Sequence, residues 1–345
     1  MNGRSQAIDG LRTVLNTLIV LHHTYYPLAG VAVGLLERRL IRFQVCITWT
    51  LPTLFCLSGY LMMKGYSIET IRHKFWSRCK RLAAPLLLVN WGIVLIVGVG
   101  MLFGVVHNPK YTLEWAVRSV FCAKEGTTLA TFWYVRTLLI FTAVSPIVYF
   151  AIRRTTGQIL TIIAVSAWCV ASTALGVDDK LWKITPSFAM FSFLTGAVIA
   201  IRGKDICQFA RKWWLPISIV YLLSLVNRGF GWYWPRNGLL LGLQSLFWFI
   251  FADRFAAVMK NSAGRYLCEC AFFVFAIHSN TAGWVPCKVV NFLYSAMPAE
   301  FLTWPGVSVL STWIVFAVNL SLCTAMYAAG KKLLPLPTRI MNGRL

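Results

Sequence analysis

The chain has 345 residues, 58% of them hydrophobic and 13% charged, against about 25% charged in an ordinary soluble domain, and its mean hydropathy is +0.66. These values exclude a soluble globular protein and leave a polytopic membrane protein. The net charge of +22 invites a nucleic-acid partner, but the basic residues gather in short segments between apolar runs, as membrane orientation requires, so no nucleic acid is expected.

A membrane-crossing helix needs roughly 20 apolar residues. Runs suited to that length lie at 11–33, 45–63, 82–106, 131–152, 159–176, 184–201, 213–227, 238–252, 266–285 and 305–329. The expectation is an all-α, polytopic bundle of about ten transmembrane helices, a single domain over 1–345 whose first span is not cleaved. The seventh and eighth runs are short and are joined by NRGFGWYWPRNG (227–238). Of the 33 Lys and Arg residues, 21 fall on one set of alternate loops and 11 on the other, with Arg136 inside the fourth run. That bias puts both termini in the cytoplasm. The richest segment, KGYSIETIRHKFWSRCKR (64–81), is expected as a cytoplasmic amphipathic stretch that meets lipid headgroups.

The cysteines stand mostly alone in apolar runs, and no pair has zinc-ligand spacing, so they read as free thiols and no metal is expected. Small residues in SFLTGAVIA (192–200) leave a homo-oligomer open. Aromatic outer loops, GWYWPRNG (231–238) and the Trp284–Trp304 stretch, are suited either to sugar stacking or to the membrane interface.

The first run carries the polar residues that lipid would reject. At about 100° per residue, Asp9 lies about 60° from Arg12, Asn16 about 40° and His23 about 20°, whereas His22 falls about 80° to the other side. Asp9, Arg12, Asn16 and His23 therefore form one stripe, with Arg12 and His23 about 16 Å apart along the axis. Such a stripe faces the bundle interior or a wet cavity, Asn16 serving there either the site or a neighbouring helix.

AIDGLRTVLNTLIVLHH (7–23) resembles the opening signature of the acyltransferase family 3 membrane enzymes, including the Arg-x10-His spacing met by Arg12 and His23. FCLSGYLM (55–62) is similar to that family's Ser-Gly-Tyr/Phe-Leu element. FWSRCKRLAAP (75–85) is similar to its Arg-x-x-Arg-Leu…Pro segment, through Arg78 and Arg81. FWYVRTLLIFTAVSPI (132–147) and FFVFAIHS (272–279) resemble its Trp-Phe/Tyr-Leu/Val-Arg and Phe-x-x-Tyr-x-x-His elements, with Phe275 in place of the more usual tyrosine. The five elements cover essentially the whole membrane unit in order. The resemblance implies an O-acyltransferase, most simply an O-acetyltransferase, in the cell inner (cytoplasmic) membrane. Its donor would be cytoplasmic acetyl-CoA or another acyl-CoA, used as co-substrate. The acceptor would be the hydroxyl of a cell-envelope glycan, a lipid-linked sugar or a small molecule.

The expected topology places His23, His278 and Arg136 at one outer level. Asp9, Arg12, Ser58, Glu269 and the basic segment fall at an inner level, with Arg12 as charge partner of Glu269. Two polar levels joined by the Arg12–His23 line suggest a passage through the bundle. Arg12, Ser58, Arg78 and Arg81 would hold the donor, Arg side chains being suited to its phosphates. His23 would be the general base, assisted by Arg12 and Asp9, because imidazole exchanges protons near neutrality. Asn16, Trp133, Tyr134, Arg136, Glu269 and His278 would meet the acceptor. The same intramembrane His, Arg and Glu also fit a proton-coupled secondary transporter, and a lipid-binding assembly protein is a third reading.

Overall fold

The computed structural model describes residues 3–24, 35–105, 111–120, 132–175, 185–229, 238–282, 285–302, 304 and 306–343. Among these the chain is all-helical, with no strand. The apolar runs become helices because a backbone in lipid must satisfy its N–H and C=O groups within the segment.

Helix α1 (Gly3–His23) is followed by α2 (Leu35–Ile47) and α3 (Leu51–Met63). The break between the last two is set by Pro52 in the first turn of α3, where a missing N–H costs nothing. Helix α4 (Ile71–Leu102) has 32 residues, about 48 Å at 1.5 Å each. The basic stretch expected as a separate amphipathic segment thus forms, from residue 71, the first turns of α4, continuous with the apolar run. Helices α5 (Leu113–Val120), α6 (Phe132–Ile152), α7 (Thr155–Ala174) and α8 (Ser187–Ile201) come next.

The expected seventh run, 213–227, is α10 (Trp214–Gly229); the basic segment before it, expected as a loop, forms α9 (Ile206–Lys212), and the two are bent by 83° at their junction. Asp205 starts α9 by accepting from the Cys207 and Gln208 N–H groups at 2.9 and 3.0 Å. The eighth run is α11 (Gly238–Leu243), continued by 3-10 turns Gln244–Phe251 and Ala256–Lys260 around α12 (Ala252–Phe255). The chain closes with α13 (Ser262–Ala282), α14 (Val285–Ser295), α15 (Ala299–Leu302), α16 (Val307–Leu333) and α17 (Pro335–Met341).

Among the described residues, six helices are long and apolar enough to cross a membrane, or seven with the bent pair as one span. The expected count of about ten includes three runs that fall short of that measure. Helix α8 is apolar but only 15 residues long, whereas α1 and α13 are long but diluted by polar side chains. An outer shell of exposed Leu95, Ile96, Ile147, Leu160, Ile163 and Leu223 suits lipid contact. The protein is a multi-pass membrane protein.

The core forms where α3 lies on α8, with Phe55, Phe132, Phe188 and Phe249 fully enclosed. Its close approach depends on two glycines. A Cβ on Gly59 would stand 2.0 Å from the Phe193 carbonyl oxygen, and one on Gly196 would stand 1.9 Å from that of Cys56. Leu11, Leu15 and Ile19 tie the apolar side of α1 into this core, leaving its polar side for α13 and α16, which it also contacts. Among the described residues no disulfide bond is formed.

Candidate active site

Helix α1 carries the polar stripe as a real face. Asp9 and Arg12 form an ion pair at 3.6 Å, one turn apart on the same helix. Arg12 is therefore not the partner of Glu269, as the expected topology had it. The Glu269 carboxylate accepts instead from Lys331 Nζ at 2.9 Å and from the Tyr327 hydroxyl at 3.0 Å, both on α16. Depth along the axis brought Arg12 and Glu269 to one level, but the rotation of α13 turns the carboxylate toward α16.

Asn16 is buried between α1, α13 and α16. It lines, with Thr13, Thr17, Leu267, Ala271, Val274 and Leu320, a cavity of about 10 Å3, room for one water. The passage expected along the Arg12–His23 line is thus no wider than a water at Asn16, which serves the helix interface there.

The two adjacent histidines part company. His22 turns to α2, with Nδ1 3.0 Å from the Val45 carbonyl oxygen and 3.3 Å from Thr48 Oγ1. His23 turns to α13, where its Nδ1 stands 3.0 Å from His278 Nε2 and 3.0 Å from the Ile19 carbonyl oxygen. Two residues 255 apart in sequence are thereby hydrogen-bonded. His278 is fully buried and His23 keeps an exposed surface.

Hydrogen-bond chemistry assigns the protons. His278 Nδ1 lies 2.8 Å from the Phe275 carbonyl oxygen and 3.2 Å from that of Val274. A carbonyl only accepts, so Nδ1 carries hydrogen and Nε2 of the neutral ring is an acceptor. His23 Nδ1 faces that acceptor and a carbonyl, so it too carries hydrogen. The basic lone pair of His23 is left on Nε2, which makes no hydrogen bond among the described residues. The backbone of the buried member is held from α16, whose Asn319 Nδ2 donates to the His278 carbonyl at 3.2 Å.

A second group of expected residues meets around Tyr134. The Ser58 hydroxyl donates to the Leu54 carbonyl at 2.8 Å and lies 3.2 Å from the Tyr134 hydroxyl, so Tyr134 donates to Ser58, with the Leu54 carbonyl oxygen as a second acceptor at 3.4 Å. Both Arg12 and Arg78 are near enough to act electrostatically on that phenol. Arg78 points inward and is half-buried, whereas Arg81 is exposed. Three further basic residues of α4 face outward: Arg72, His73 and Lys80, with Glu69, Trp76 and Ser77, line an open groove of about 660 Å3.

Aromatic rings connect the two groups. Tyr134 is 5.4 Å from Phe275 between centroids, and Phe275 is 5.9 Å from His278. Phe275 thus fills the space between phenol and imidazole without adding a hydroxyl. Trp133 packs on Phe55 at 6.0 Å. Arg136 sits half-buried on α6, with its Nε enclosed. The GWYWPRNG loop (231–238) and Trp284 lie outside the residues whose side chains are described, while Trp304 is exposed.

Asn319, Tyr327 and Lys331 were not singled out from sequence. Asn319 had a signal, being the only amide side chain in the 305–329 run, and a polar group inside an apolar span needs a partner. No curated protein and no solved structure matches the chain. The model of an acyltransferase domain matches residues 5–326, nearly the whole chain, with the histidine pair, Ser58, Arg78 and Tyr134 all inside it, and the protein accordingly belongs to acyltransferase family 3.

Proposed function

We propose that this integral-membrane acyltransferase moves an acetyl group from cytoplasmic acetyl-CoA to a hydroxyl of a cell-envelope glycan, lipid-linked sugar or small acceptor at the inner membrane. The observation that carries the reading is the relay from the Phe275 carbonyl through His278 to His23, which leaves Nε2 as the basic nitrogen of a histidine that keeps an exposed surface. His23 Nε2 takes the acceptor hydroxyl proton as the oxygen attacks the thioester carbonyl. The imidazolium that forms keeps its Nδ1–H on His278 Nε2, so the developing charge meets an oriented acceptor. Collapse of the tetrahedral intermediate breaks the C–S bond, and His23 returns the proton to the coenzyme A thiolate. The acceptor gains the acetyl ester and the histidine ends neutral.

Arg12 and Arg78, gathered at the Tyr134–Ser58 pair, suit the negatively charged donor, since guanidinium groups bind phosphate oxygens in a fixed fork. Radiolabelled acetyl-CoA supplied to the purified protein in nanodiscs with a glycan acceptor tests the reading. Label should pass to the acceptor with wild type and not with His23→Ala. A well-folded His23→Ala that transfers at the wild-type rate removes His23 from the chemistry. Competition by succinyl-CoA reads the acyl preference. The reading predicts a rate that falls as the medium is acidified and the base is protonated.

A further inference from the structure

The last turn of the chain touches the backbone of the histidine helix in an unusual way. Asn342 follows α17 and is buried. Its Nδ2 donates to the Glu269 carbonyl oxygen at 2.5 Å, and its Oδ1 accepts from the Phe273 N–H at 3.2 Å. Residues 269 and 273 are the carbonyl and amide of a single i→i+4 rung of α13. One side-chain amide therefore engages both ends of one rung. The two partners demand opposite ends of the amide, which fixes its orientation and makes Asn the only ordinary side chain of its length that satisfies both.

The same turn of α13 is gripped through its side chain. The Glu269 carboxylate takes hydrogen bonds from Tyr327 and Lys331. Between these contacts and Asn342 the chain folds back sharply. Helix α17 crosses onto α16 so closely that a Cβ on Gly330 would stand 2.6 Å from Thr338 Oγ1. Helix α17 also lies against α4, the helix that carries Arg78. The residues that do the holding, Tyr327, Lys331 and Asn342, all lie beyond residue 326, where the match to the acyltransferase domain ends. The held rung ends five residues before His278, about 7.5 Å along the axis.

We propose that residues 327–343 form a clamp, with Asn342 as a positioning residue, that sets the height and rotation of α13 so that His278 Nε2 meets His23. The inference rests on the histidine pair being the reaction site. A clamp on backbone groups suits this task, because it fixes where the helix stands without placing a further polar group at the imidazoles. Helix rotation is the sensitive coordinate, since a displacement of about 1 Å at a catalytic group can cost a hundredfold in rate.

The experiment compares wild type, Asn342→Leu, Tyr327→Phe and His278→Ala, full-length in nanodiscs, by hydrogen–deuterium exchange over residues 269–278 and by acetyl transfer. Leucine keeps the branched outline of asparagine, with two bulkier methyl groups, and makes neither hydrogen bond. Asn342→Leu is expected to raise exchange at 269–274 about tenfold, the sign of local opening, and to lower kcat about tenfold or more, with the KM for acetyl-CoA within twofold. The acid limb of its rate–pH profile should be displaced from wild type, which a loss of folded protein alone does not produce. If Asn342→Leu does not reach the membrane, Tyr327→Phe reads the same clamp with one hydroxyl removed. Unchanged exchange overturns the clamp. Raised exchange with wild-type kcat and pH profile overturns its link to the histidines. His278→Ala transferring at the wild-type rate instead sinks the histidine reading, and the exchange arm still decides whether the clamp exists.

Discussion

Two helix pairs in this bundle are held by opposite means. Helices α3 and α8 meet backbone to backbone, with Gly59 and Gly196 each set under a carbonyl oxygen of the other helix. Helices α1 and α13 meet through side chains, by the His23–His278 bond at 3.0 Å and the Asn16 face. In the first pair the important quantity is the absence of atoms, and any added Cβ must move a helix. In the second it is the placement of nitrogens, and a side chain of like volume still fits the space. The scaffold pair is therefore expected to fail by not folding and the site pair by not turning over.

That contrast is broken most directly at Gly59. Gly59→Leu is expected to abolish accumulation in the membrane, and Gly59→Ala to cost about 3 kcal/mol or more, the upper range for overpacking, as read by thermal unfolding in detergent. A Gly59→Ala protein of unchanged stability would show that the α3–α8 distance is not rigid. Next in size is His23→Gln, which should leave melting near wild type while lowering transfer by about 10²–10⁴-fold, the usual worth of a general base.

A smaller effect is expected at Asn319. Asn319→Leu removes the donor to the His278 carbonyl and should lower kcat by about tenfold, since a displacement well under 1 Å at a catalytic group costs less than the roughly hundredfold of a full ångström. An unaltered kcat would mean that α13 needs no support from α16 at this level. Ser58→Ala removes the nearer of two acceptors for the Tyr134 hydroxyl and should raise the KM for acetyl-CoA several-fold with little change in kcat, measured at saturating acceptor. The smallest effect is assigned to His22. Its ring bonds α2 rather than α13, so His22→Phe should cost about 1 kcal/mol of stability, the worth of one hydrogen bond, and leave transfer near wild type. Loss of transfer in that variant would blur the division between the two adjacent histidines.

What the sequence determined by itself is whatever follows from composition and from one helix at a time. An all-α membrane bundle follows from apolar runs and lipid, since no other element satisfies its own backbone there. The separation of His23 from His22 follows from 100° per residue, and the structure keeps it: one ring bonds α13 and the other α2. Axial rise gave the common level of His23 and His278, and the structure joins them. The tertiary structure alone decided what depends on the rotation of one helix against another and on the path of the tail. Rotation gave Glu269 to Lys331 and Tyr327 instead of Arg12, closed the Asn16 face around a water-sized void, and sent Arg78 inward while Arg81 stayed exposed. In sequence the tail PLPTRIMNGRL (335–345) shows two arginines and no periodic face, yet its Asn342 holds a backbone rung of α13. Side-chain periodicity does not encode such a contact, because a backbone rung offers the same amide and carbonyl whatever its residues, and only packing selects which rung is met.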